Sequence, residues 1–128
     1  METEILVSIG ILLILLGNVF RKNPTPYPSR KQREYLKFGF KIFICGYISK
    51  RALKNEKSWN YANSFFGKRL VILGVFELLL LISLCLISGC ISLKGLPKEQ
   101  IVVCVLIAGF ICSIIHTEVK LSQLFDEC

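Results

Sequence analysis

The side chains able to do chemistry are few and far apart. His116 is the single histidine, and the six cysteines stand at 45, 85, 90, 104, 112 and 128 with no C-x-x-C among them. No Cys/His spacing fits a zinc set, so neither a metal nor a cofactor is expected. Nothing sets a Ser or Cys nucleophile beside a base. Glu56, Glu77 and Glu118 are lone carboxylates, a pattern that predicts no enzyme. The cysteines read as small apolar packing residues.

A different pattern runs through "KNEKSWNYANSFFGKR", residues 54–69. Asn55 has the side chain of a helix N-cap, and Glu56 follows in the first turn, where a negative charge suits the helix dipole. Trp59, Ala62, Asn63 and Phe66 recur at i, i+3, i+4 and i+7, one face of a helix. The spacing predicts a short helix over about 55–67, lying at the membrane interface, that Gly67 ends or bends before Lys68 and Arg69. Its chemistry is recognition or anchoring.

The elements that must carry this face are apolar. Hydrophobic residues make up 53% of the 128, with mean hydropathy +0.58. They cluster: Ile5–Phe20, Leu70–Leu93 with Glu77 as its one charge, and Ile101–Ile115 with none. About 20 apolar residues cross a bilayer as a helix. A soluble bundle of this size needs polar outer faces, which these runs lack. The expected fold is an all-α integral membrane protein, one domain over 1–128. Its transmembrane helices are expected at about 4–20, 70–93 and 97–116. The start, "METE", is acidic where a secretory signal is basic, so the first run reads as a retained helix. The tail after His116 carries Val119, Leu121, Leu124 and Phe125 as a weak stripe and is expected to extend the third helix.

Between the first two runs, Pro24, Pro26 and Pro28 favour an extended connector. The apolar part of 33–50, Phe38–Ile48, is too short to cross. It reads either as an interfacial segment or as a short strand or hairpin. Glu77 stands about two turns inside the second run, where an acid costs roughly 2.5–3.5 kcal/mol to insert. Either it shares a polar cluster with Asn18 and His116, or it is carried neutral, or a shifted span sets it shallower.

Charge gives the orientation. Residues 21–69 hold 13 of the 16 lysines and arginines against two acids, a net charge of +11. The positive-inside rule places this loop and the C-terminus in the cytoplasm, with the N-terminus outside. Cys45 and Cys128 then sit where thiols stay reduced. Topology and anionic headgroups account for the basic loop, so nucleic acid is not an expected partner.

Residues 46–69 resemble the signature of the SdpI family, small membrane proteins that include immunity proteins against a secreted toxic peptide. The family pattern is similar to G-[YI]-R-T-x-x-[ST]-M-K-N-x-x-x-W-x-x-[AT]-[NH]-x-x-x-G-K. Here Gly46-Tyr47 is followed by Ile48-Ser49 in place of Arg-Thr, then Lys54-Asn55, Trp59, Ala62-Asn63 and Gly67-Lys68 without a gap. "LLGN" at 15–18 and Thr117-Glu118, Leu121 and Phe125-Asp126 resemble the family's flanking segments. The resemblance implies a place in a bacterial cell membrane, protection against a membrane-active peptide toxin and recruitment of a cytoplasmic repressor. It points to Gly46, Asn55, Trp59, Asn63, Gly67 and Lys68 for recognition of a toxin or partner, with Glu77, Glu118, Asn18 and His116 as polar supports. The competing expectation is an accessory or structural subunit of a larger membrane complex, such as a transporter or a lipid-binding adaptor.

Overall fold

A computed structural model describes residues 2–23, 26–33, 47–90 and 98–125. Three long helices dominate: α1 (Glu2–Lys22), α2 (Glu56–Cys90) and α3 (Lys98–Phe125). A single 3₁₀ turn, Ala52–Lys54, leads into α2. All three helices are long and apolar enough to cross a membrane, and no strand occurs among the described residues. The all-α, three-span expectation therefore holds. Of Phe38–Ile48, read as an interfacial segment or as a short strand or hairpin, residues 38–46 lie outside the described residues, as do residues 91–93, and Tyr47 and Ile48 form no strand.

One element differs from its expected form. Residues 56–67 are helical, but they do not make a separate interfacial helix. They are the first third of α2, which runs unbroken through Gly67 to Cys90. At 1.5 Å per residue its 35 residues rise about 52 Å, against about 30 Å of hydrocarbon. The extra length stands out of the membrane at the basic end. α3 likewise continues past His116 to Phe125, as the tail predicted.

The reason Gly67 does not end the helix is its neighbour. A Cβ on Gly67 would lie 2.6 Å from the carbonyl oxygen of Gly17, and one on Gly74 would lie 2.7 Å from that of Gly10. Seven residues up α1 match seven residues down α2, so the two helices run antiparallel with their backbones in contact. Small residues allow this approach, which van der Waals packing rewards inside a membrane. α2 is the central helix: α1 and α3 each pack on it and touch one another little.

Burial is concentrated at two levels. Near the start of α1, Leu6, Leu81 and Val102 bring all three helices together. At the basic end a larger core gathers Phe20, Tyr47, Leu53, Trp59, Phe66 and Leu121. Between and around them, large side chains such as Leu15, Ile72, Leu79, Ile107 and Ile115 are exposed on the helix faces. A water-facing bundle would not expose such faces; lipid covers them.

Candidate functional site

The site is the head that α2 carries at its N-terminal end, and it is built from the cap upward. Asn55 precedes the helix. The Ser58 N–H donates to Asn55 Oδ1 at 2.8 Å, and the Asn55 N–H donates to Ser58 Oγ at 3.2 Å. Two free donors are thus satisfied reciprocally, with serine in the acceptor role usually taken by Glu or Gln. The Ser58 hydroxyl donates back to the Asn55 carbonyl at 3.0 Å.

One turn on, Trp59 is 2% exposed and meets the Tyr27 ring edge-on, centroids 6.3 Å apart. The Tyr27 hydroxyl donates to the Leu53 carbonyl at 2.8 Å, and Arg33 donates to that hydroxyl at 2.6 Å. The connector at 26–33 is thereby fastened over the tryptophan. Ala62, Asn63 and Phe66 complete the inward face and are fully buried.

Asn63 uses both ends of its amide. Its Nδ2 donates to the Trp59 carbonyl at 2.9 Å, and its Oδ1 accepts the Tyr47 N–H at 2.7 Å. The second bond ties a segment 16 residues upstream to the helix. Tyr47 then reaches across to α3. Its ring stacks at a tilt on Phe66, centroids 4.8 Å apart, and its hydroxyl donates to Glu118 Oε1 at 2.6 Å. Burial raises the Tyr47 pKa, and the hydrogen bond and charge of Glu118 raise it further. The other carboxylate oxygen of Glu118 pairs with Arg51 at 3.1 Å. Lys54 Nζ donates to the Phe125 carbonyl at 3.1 Å, a cation on the C-terminal end of α3. The segment 47–54 therefore links α2 to α3.

The residues singled out from sequence fall into three groups. Trp59, Asn63 and Gly67 are buried, and Asn55 caps α2 while its residue stays exposed. Lys68 is exposed on α2, and Gly46 lies outside the described residues. The polar supports do not form one cluster. His116 meets the Arg69 guanidinium. Glu77 is 1% exposed, faces Gly10 of α1 and has no hydrogen-bond partner. Eight residues separate Arg69 from Glu77, about 12 Å along the helix. Asn18, next to Gly17, is at the level of Gly67, not of Gly10. Glu118 alone sits in the head.

Sequence reasoning passed over Tyr27, Tyr47, Arg51 and Ser58 as contact makers. Tyr47 was legible, because it stands inside the motif. Arg51 was not: position 48 holds a half-buried isoleucine packed on the core, and the guanidinium that reaches Glu118 comes from three residues later.

A membrane protein with three candidate spans and a motif folded into a buried head defines the class. A family model of the SdpI/YfhL protein family matches residues 41–117, more than half of the chain. The chain belongs to that family. No curated protein and no solved structure matches it.

Proposed function

We propose that this protein protects a bacterial cell membrane against a membrane-active peptide toxin, by binding and without an enzymatic step. The observation that supports it is the coincidence of two things. The family match covers the motif, and the motif is folded into one buried unit on the spans instead of a loose loop. In this reading Asn55, Trp59, Asn63 and Gly67 hold the head's shape. The exposed cations Lys50, Lys57 and Lys68 form its recognition surface. Gly46 adjoins the Tyr47 strap, and Glu118 supports it from α3. The basic end faces the cytoplasm, by the positive-inside rule, and the N-terminus faces out. A cytoplasmic repressor with an acidic face would be steered to that end electrostatically.

The test is survival. A peptide-sensitive bacterium producing the chain is challenged with a panel of secreted membrane-active peptides. Growth at doses that kill the control strain supports immunity. Killing at the control dose by every peptide, with the chain at full level in the membrane, removes it. Co-purification of a membrane complex from the same cells would then favour the accessory-subunit reading.

A further inference from the structure

The seam between α2 and α3 carries an open groove of about 250 Å³ that the head does not use. Leu73 and Gly109 form its floor. A Cβ at Gly109 would overlap the Leu73 side chain, so the glycine keeps the groove deep. Phe76 and Ile72, both more than half exposed, make one wall, and Cys112 belongs to the other. At its mouth stand Arg69 and His116, the residues that bound the apolar runs of α2 and α3. That places the mouth at the edge of the hydrocarbon, on the end of the molecule that holds most of the basic residues.

The mouth is cationic without an acid. The Arg69 guanidinium contacts the His116 ring and lies over the Phe65 face, 5.4 Å from its centroid. Among the described residues no carboxylate pairs with it; the nearest acid in sequence on α3, Glu118, is engaged by Tyr47 and Arg51. Lys120 follows His116 one turn along α3 and adds to the positive field. Guanidinium matches phosphate in charge and in fork geometry. Basic pockets between spans at the membrane edge suit anionic headgroups. An apolar trough below such a mouth has the form of an acyl-chain site.

We propose that this groove binds one anionic phospholipid, its phosphate on Arg69 and an acyl chain in the trough between Phe76 and Cys112. The test uses the purified full chain in a zwitterionic detergent, titrated with phosphatidylglycerol or phosphatidylcholine. Native mass spectrometry reads the lipid retained, and the alkylation rate reads access to Cys112. One phosphatidylglycerol should be retained at a concentration at least about tenfold below that needed for phosphatidylcholine, a gap of about 1.4 kcal/mol. Phosphatidylglycerol should slow alkylation of Cys112 and leave Cys85 unchanged. Arg69→Gln should erase the preference, and Lys22→Gln on α1 should keep it. Equal retention of both lipids overturns the proposal, as does an unchanged preference in folded Arg69→Gln. Protection of Cys112 by soluble glycerol phosphate as strong as by the lipid also overturns it, because the trough then contributes nothing. If Arg69→Gln does not fold, the Cys112 measurement on the native chain decides.

Discussion

Asn63 has two polar ends, and each completes a bond that nothing else in the head offers. Asn63→Ala strands the buried Tyr47 N–H, and such an orphan costs about 1–3 kcal/mol. Thermal unfolding in detergent should show a lower midpoint for this variant. Tyr47 makes a pH-dependent contribution. Its pKa is raised in the folded state, so its stabilisation is complete below the unfolded phenol value of about 10. It is lost as pH climbs from there toward the folded value. The native chain should therefore lose stability above about pH 10, and Tyr47→Phe should lose less over that range, as read by unfolding midpoints at pH 8 and 11. Arg51 should matter less, under about 1 kcal/mol, because its pair with Glu118 is partly solvated. The face of Trp59, Ala62, Asn63 and Phe66 was legible from spacing alone. Its direction was not. Whether an apolar helix face meets lipid, a partner or its own chain depends on what folds over it. The cover here comes from Tyr27 and Tyr47, many residues upstream.

At the scale of elements, α2 sets the register of everything else. Two of its glycines, Gly67 and Gly74, meet backbone oxygens of α1, which cannot rotate away as side chains do. Gly67→Ala should push α1 and α2 apart at a cost of about 1–3 kcal/mol or more. Gly109→Ala should cost less, because the added carbon meets only the flexible end of Leu73. Unfolding midpoints of the two variants check the order. The three spans were readable because apolar runs of that length have few alternatives. The continuity of α2 was not readable. A glycine beside Lys-Arg fits a helix end and a close helix crossing equally well, and only the facing Gly17 separates the two.

The whole molecule is a membrane body with its large buried core at one end and lipid-facing side chains along its length. The same end carries most of the positive charge. The proposed orientation rests on that asymmetry. In a background with the native cysteines replaced, a membrane-impermeant maleimide added to intact cells should label Thr3→Cys and leave Lys57→Cys unlabelled. Labelling of Lys57→Cys alone would reverse the orientation. The surroundings of Glu77, for which a polar cluster was one of three readings, were the least legible feature. Residue count alone does not set the depths of Glu77, Asn18 and His116: Glu77 faces Gly10, whereas Asn18 adjoins Gly17 at the level of Gly67 and His116 meets Arg69. The measurement that bears most directly on the central claim pairs peptide survival with unfolding midpoints in the same strains, for the native chain and Asn63→Ala. The expected result is protection by the native chain and loss of protection in Asn63→Ala in step with its lower midpoint. Killing of cells that hold the folded native chain at full level, by every peptide tried, would contradict it.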